Sequence, residues 1–141
     1  MLRKVSEYRV AYADTDKMGF VYYGNYLALF ERARTELMRQ HGLTYRELEA
    51  TGTAMPVIEA NLRYHSHAHY DDVLDLCAAV REFRGLRITI ACEVRRNGDL
   101  LADGTTTLTF MDAATGRPRR IPDELRRLIE AAIAAEEGRA E

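Results

Sequence analysis

Asp14 and Asp16 stand two residues apart in the segment ADTDKMGFVYYGN, with Gly19 and Gly24 close behind and a helical pattern directly after. A helix start exposes unpaired N–H groups and a partial positive charge, which suits an oxyanion forming on a carbonyl under attack. A carboxylate beside such a start can act as nucleophile, or as general base, toward an acyl carbon. The same two acids also fit a plainer role, in which loop carboxylates accept hydrogen bonds from neighbouring backbone N–H groups. Spacing alone admits both roles.

A second group is His65, His67 and His69, alternating in HSHAH. On an extended strand they share a face, about 6.6–6.8 Å apart. A zinc ion needs ligands converging from more than one element, with further groups orienting them. One strand of histidines reads instead as a wet surface or a pocket rim, and no metal site is expected. Cys77 and Cys92 form no CxxC or zinc spacing, so neither a disulfide framework nor a thiol-metal site is expected. Arginines gather late: Arg81, Arg84, Arg87, Arg95 and Arg96, then Arg117, Arg119 and Arg120. They suit phosphate oxygens, or a solvent face balanced by Glu82 and Glu93. Glu31 and Arg34, three apart on a helix, read as an intrahelical pair worth about 0.2–0.5 kcal/mol.

The elements that must hold these groups follow from periodicity. Residues 3–12 alternate and predict a first strand. In YLALFERARTELMRQHG, Tyr26, Phe30, Ala33 and Leu37 fall at helical spacing, and Gly42 is a fitting stop, so a long helix is predicted with Asn25 as its cap. A short helical turn follows at residues 44–51, capped by Thr44 with Glu47 three residues on. Period two then takes over. Strands are predicted over 55–64 (with an extension toward Tyr70), 73–83, 86–96 and 100–111. Leu86, Ile88, Ile90, Cys92 and Val94 share one face of the third of these four. Asn97-Gly98 predicts a type I′ hairpin turn, which requires positive φ at both positions. Tyr70-Asp71-Asp72 reads as a strand-initiating turn. Pro122-Asp123-Glu124 opens a last helix with Leu125, Leu128, Ile129, Ala132 and Ile133 on its apolar face.

One long helix against about five antiparallel strands is an α+β layer arrangement. The 141 residues are expected to form one domain, 1–141, with 47% apolar and 30% charged residues, as in soluble globular proteins. The balance of 20 Lys+Arg against 22 Asp+Glu, with no basic stripe interleaved by aromatics, argues against nucleic acid as partner. No apolar run approaches 18 residues and the first residues carry no signal-peptide pattern, so a cytoplasmic chain without a membrane span is expected. The helix covers one face of the sheet, and a second subunit is expected to cover what remains, giving at least a homodimer.

The stretch YADTDKMGFVYYGNYLALFERARTEL resembles the signature of the hotdog-fold acyl-CoA thioesterases, of the 4-hydroxybenzoyl-CoA and Tol-Pal-associated types. The pattern runs Asp-x-Asp-x-x-Gly-x-Val-Tyr, then Asn-Tyr, then a helix of Glu-x-Ala-Arg character. It continues through MPVIEANLRY and YDDVLDL to the last hairpin, covering most of the chain. The resemblance implies a hotdog fold, a long central helix wrapped by an antiparallel sheet. It implies hydrolysis of an acyl-CoA thioester to acid and CoA, with CoA as part of the substrate and no cofactor or metal.

Carried over residue by residue, Asp16 matches the family's catalytic carboxylate, and the main-chain N–H of Tyr23 matches its oxyanion donor. The cap at Asn25 would instead leave the free amides a few residues later. Asp14 becomes a supporting acid. Many relatives carry His where this chain has Tyr23, which leaves the base role on Asp16. Nucleotide contacts fall around the turn between the third and fourth strands, hence on Arg84 and Arg87. Asn61 matches a pocket-lining position, and Met55, with Pro56 and Val57, is a candidate for the acyl pocket of a neighbouring subunit. Glu31 is the rival catalyst, since some hotdog thioesterases use a helix glutamate. A homodimer or dimer of dimers (a homotetramer) is implied. The competing functions are a non-catalytic acyl-CoA-binding or scaffold protein and a hotdog dehydratase, which would need a His paired with an acid near the central helix.

Overall fold

The computed structural model describes residues 1–140 in backbone and 1–138 in side chains. Strand β1 (Lys4–Arg9) leads through a short 3₁₀ turn (Tyr12–Asp14) and a loop to helix α1 (Asn25–Gln40). Helix α2 (Tyr45–Ala50) and the two-residue strand β2 (Thr53–Ala54) precede β3 (Val57–Tyr64), β4 (Val73–Arg84), β5 (Arg87–Arg96) and β6 (Asp99–Leu108). A second two-residue strand, β7 (Met111–Asp112), pairs with β2, and helix α3 (Asp123–Ala140) ends the order. The five long strands form one antiparallel sheet in the order β1-β4-β5-β6-β3. This is the predicted α+β arrangement, a long helix wrapped by an antiparallel sheet.

Helix α1 buries Leu29, Phe30, Ala33 and Leu37 against Leu74, Leu76, Ile88, Ile90 and Val94 of β4 and β5. Burying each of the larger side chains stabilises the fold by about 1.5–3 kcal/mol. The helix stops where Gly42 takes φ +87°, a conformation costly for any other residue there. Thr44 caps α2 by accepting the Glu47 N–H at 3.1 Å, as its spacing predicts. Asn97 and Gly98 both have positive φ, 51° and 86°, so the β5–β6 turn is of the predicted type. Ile129 and Ala132 seat α3 on the core, next to Met38 and Leu43 at the end of α1. No helix among the described residues is long and apolar enough to cross a membrane.

Several predicted boundaries move. The strand predicted over 100–111 ends at Leu108, and Met111 lies instead in β7, paired with β2. The first strand stops at Arg9, because Asp14 pulls the Ala11 N–H into a tight turn (2.8 Å to Oδ2). The predicted extension toward Tyr70 is not strand: the His65 and Ser66 N–H groups share the Leu101 carbonyl of β6, which ends the ladder, and the chain then turns away. Helix α1 is capped at Gly24, not Asn25, since the Asn25 N–H is already bonded to the Tyr22 carbonyl at 2.9 Å.

Candidate active site

The loop between β1 and α1 is a small hairpin. Thr15 bridges Val21, the Asp16 N–H donates to the Phe20 carbonyl at 2.9 Å, and the Tyr22 N–H donates to the Asp14 carbonyl at 2.9 Å. Gly19 turns the tip at φ +84°, a value its neighbours could adopt only under strain. Within this turn Asp16 Oδ1 accepts the N–H of Met18 at 2.9 Å and that of Phe20 at 3.4 Å. Its other oxygen has no protein partner among the described residues. Half of this carboxylate is therefore held by the backbone and half is open to a ligand or water.

Asp14 is used differently. Its Oδ2 accepts the Tyr8 hydroxyl at 2.6 Å and the Ala11 N–H at 2.8 Å, and its carbonyl also accepts Asn25 Nδ2 at 2.9 Å. The hydrogen bond to Asp14, together with burial, pushes the Tyr8 phenol above its ordinary value of 10.0. Arg32 lies over the Tyr8 ring, 4.5 Å from its centre. These side chains close around a cavity of about 90 Å³ beneath the head of α1. Asp14 thus joins β1, the hairpin and the helix start, while Asp16 remains accessible.

The hairpin's second arm runs into the helix start. Tyr22 and Tyr23 supply the carbonyls for the N–H groups of Asn25 (2.9 Å) and Tyr26 (3.4 Å), so the backbone is already wound there. The N–H groups of Tyr23 and Gly24 donate to no acceptor among the described residues. Sixteen residues of helix point their positive end at this pair of free donors. Such an arrangement can stabilise an anion or a developing oxyanion. Sequence spacing with Asn25 as cap would have put the free amides later.

Segment 65–72 buttresses the hairpin. The Val21 N–H donates to the Ala68 carbonyl at 2.8 Å, and Phe20 bridges His69. Asp71 adopts φ 71° in the turn that leads into β4. Burial alone would raise the Asp72 carboxyl; the His69 N–H and the Arg96 guanidinium, at 2.8 and 2.6 Å, outweigh it and hold it below 3.8. The three histidines do not converge: His65 Nε2 meets Asp103 at 2.7 Å, whereas His67 and His69 pack on Phe20. Both cysteines are buried, and burial pushes their thiols up to about 11 at Cys77 and about 12 at Cys92. Neither supplies a thiolate nucleophile at neutral pH.

The other predicted site residues lie elsewhere in the chain. Asn61 bonds through Nδ2 to Thr105 Oγ1 at 2.6 Å on the sheet face away from α1, beside an open hollow of about 500 Å³. Alternation along β3 turns its side chain to the face away from α1. Met55 and Pro56 line a hollow of about 340 Å³ between α2, β2 and β7. Arg84 and Arg87 flank the β4–β5 turn, both exposed, with Arg84 Nε 3.4 Å from Glu82. The Asp16 turn packs near the start of β4, so these arginines lie at the opposite end of that strand.

Glu31 and Arg34 do not pair. Glu31 is exposed, while Arg34 turns inward, with Nε donating to the Tyr45 hydroxyl at 2.7 Å and Nη1 to Thr106 Oγ1 at 3.2 Å. Hydroxyls on α2's first residue and on β6 draw the guanidinium toward the sheet, against the predicted intrahelical bond. Sequence reading also passed over Tyr64, whose hydroxyl donates to the Tyr23 carbonyl at 2.8 Å. No local signal links residues 41 apart.

Residues 10–129 match the family model described as the thioesterase-like superfamily. The acyl-CoA thioesterase YbgC of Haemophilus influenzae is 34% identical over 119 residues, 84% of this chain and 88% of that protein. The acyl-CoA thioester hydrolase YbgC of Escherichia coli O6:H1 is 31% identical over 118 residues, 83% of this chain and 88% of its own. Among solved structures, the DHNA-CoA thioesterase of Staphylococcus aureus superposes with a TM-score of 0.89 at 27% identity, covering 96% of this chain and 93% of that one. With the hotdog arrangement of α1 and its sheet, and a family match over most of its length, the chain belongs to the thioesterase-like superfamily.

Proposed function

We propose that the protein hydrolyses acyl-CoA thioesters to a carboxylic acid and CoA, and that Asp16 and the Tyr23 amide carry the reaction. The observation behind this reading is one carboxylate with a free oxygen on a hairpin whose other arm delivers two free N–H groups at the head of α1. The thioester carbonyl oxygen rests against the Tyr23 and Gly24 amides, which stabilise the negative charge that forms on it. Asp16 attacks the carbonyl carbon to form a mixed anhydride that water then hydrolyses, or it draws a proton from a water that attacks directly; on either route the C–S bond breaks and CoA leaves as its thiolate. No step draws on a metal or cofactor. The names of the relatives support acyl-CoA as substrate class.

The same reading includes a homodimer, assembling further as a dimer of dimers. Among the described residues strand β3 pairs only with β6, and Val57, Ile58 and Tyr64 on it are each nearly half exposed (47%, 46% and 46%). An open, apolar edge of this kind is one that proteins normally cover. Arg84 and Arg87 then hold CoA phosphates at the site of a neighbouring protomer, and Met55 lines that protomer's acyl pocket. The proposed compartment is the cytoplasm, where a reducing milieu suits two free cysteines.

The test is kinetic. Wild-type protein turns over at least one of butyryl-, decanoyl- and benzoyl-CoA, and Asp16→Asn lowers kcat on that substrate by at least about 100-fold. Wild-type kcat in Asp16→Asn overturns the assignment. Saturable CoA binding with no turnover of any acyl-CoA would show a binding protein instead.

A further inference from the structure

Phe20 closes the Asp16 turn from both sides. Its carbonyl accepts the Asp16 N–H at 2.9 Å, and its own N–H reaches Asp16 Oδ1 at 3.4 Å. The Phe20 ring is only half-buried and lies flat on the imidazole of His67, with centroids 3.9 Å apart and planes 9° from parallel. His69 meets the ring edge-on at 5.5 Å and 74°. The His67 imidazole makes no hydrogen bond among the described residues, and its ring contact there is this stack.

The platform carrying His67 is braced from behind. Arg96 Nη1 donates to the His67 carbonyl at 3.1 Å and to Asp72 Oδ2 at 2.6 Å, and that same oxygen accepts the His69 N–H at 2.8 Å. A braced backbone therefore presents the exposed His67 imidazole to a ring whose own backbone grips the reactive carboxylate. Stacked rings of this geometry attract one another beyond their buried area.

We propose that His67 is a positioning residue for Asp16, acting through the ring of Phe20; this rests on the catalytic reading of Asp16 above. The stack keeps the Phe20 N–H, already at the long end of hydrogen-bond range, on Asp16 Oδ1. Without it the ring swings toward solvent and the carboxylate keeps one restraint, the Met18 N–H. A carboxylate attacking an acyl carbon, or steering a water onto it, works within about 3–3.5 Å, and a displacement of about 1 Å there costs up to about 100-fold in rate. The contact uses the flat face of the imidazole and none of its protons, so another flat ring serves at this position.

The experiment compares wild type, Asp16→Asn, His67→Ala and His67→Phe on the best-turned-over of butyryl-, decanoyl- and benzoyl-CoA. His67→Ala is expected to lower kcat roughly ten-fold with KM within about two-fold, and His67→Phe to restore kcat to within about two-fold of wild type. Amide hydrogen exchange, read by NMR, speeds up at Asp16 and Phe20 in His67→Ala and stays slow in His67→Phe. Wild-type kcat in His67→Ala, with Asp16→Asn inactive, overturns the positioning role and leaves the catalytic reading intact. A loss in His67→Ala that His67→Phe does not repair also overturns it. Wild-type kcat in Asp16→Asn removes both.

Discussion

The Tyr64 hydroxyl donates to the Tyr23 carbonyl at 2.8 Å, so the last residue of β3 fastens the turn that presents the free amides at the head of α1. Tyr64 is held in turn by the ring of Tyr26, edge-on at 5.3 Å. Tyr26 is buried, and its hydroxyl accepts the Ala68 N–H at 3.3 Å. The helix start, the edge strand and the segment that backs the Asp16 hairpin therefore share one aromatic joint.

Tyr64→Phe keeps the ring and removes the bond. The lost hydrogen bond is worth about 0.5–1.5 kcal/mol, most of which is recovered from water at a position nearly half exposed. Unfolding midpoints should hardly move. The Tyr23–Gly24 peptide, freed from its anchor at the Tyr23 carbonyl, should present the Gly24 N–H less well, and kcat should fall about three- to ten-fold with KM little changed. Steady-state kinetics beside a urea melt check both halves.

Much of this frame is legible in the sequence, and the reasons lie in particular residues. Phe30, Ala33 and Leu37 recur at helical spacing because that face is buried, and Asn97-Gly98 announces its turn because both positions need positive φ. Strands β4 to β6 alternate because only one face meets α1. HSHAH alternates too, yet it is not strand: His65 and Ser66 both donate to the Leu101 carbonyl of β6, and beyond them the backbone is drawn toward the Asp16 hairpin, where Ala68 bonds to Val21 and His69 bridges Phe20. Periodicity reports which side of a chain is apolar, not what lies beside it. The Tyr64–Tyr23 bond, the inward turn of Arg34 and the distance of Arg84 and Arg87 from Asp16 all depend on tertiary approach.

Arg34 is 6% exposed, and its partners among the described residues are two neutral hydroxyls. A buried guanidinium without a carboxylate carries a desolvation cost that hydroxyls offset only in part. Arg34→Met, similar in length and apolar, should therefore leave the urea midpoint within about 1 kcal/mol of wild type or raise it. Arg34→Ala should lose about 2–3 kcal/mol through the space it empties. A loss in Arg34→Met as large as in Arg34→Ala would mean that the charge is matched by a carboxylate in the assembled protein.

Asp72 gives the platform behind the Asp16 hairpin a pH signature. Its folded carboxyl ionises below the ordinary 3.8, against the effect of burial, because the His69 N–H and Arg96 favour the charged form. The stabilisation is thus complete above that ordinary value and is lost as pH falls through the lower folded one. Asp72→Asn should cost about 1–2 kcal/mol at pH 7, from a charge-assisted bond in a partly exposed pair. Urea midpoints should show this gap constant down to about pH 5 and closing as the carboxyl protonates below about pH 4.

Gly104 lies opposite Leu62 in the β3–β6 ladder, with no room for a side chain. A Cβ there would stand 2.1 Å from the Asn61 carbonyl oxygen and 3.0 Å from the Leu62 Cα, both backbone atoms that cannot rotate aside. Gly104→Ala must push β3 away from β6, which should cost about 3 kcal/mol, the upper end for an overpacked site. Gly98→Ala provides the contrast: its added Cβ meets nothing within 4 Å, and the cost is the positive φ alone, about 1 kcal/mol. The two substitutions also differ in reach. Leu62 faces Gly104 in the β3–β6 register, and Tyr64 lies two residues further along the same strand, so displacing β3 loosens the Tyr64–Tyr23 bond. Gly104→Ala should therefore lower kcat by at least the factor seen for Tyr64→Phe, even well below its melting temperature, whereas Gly98→Ala should leave kcat near wild type. Urea melts and kinetics on the same preparations decide it: a Gly104→Ala protein with wild-type kcat would show that the edge strand does not hold the helix start.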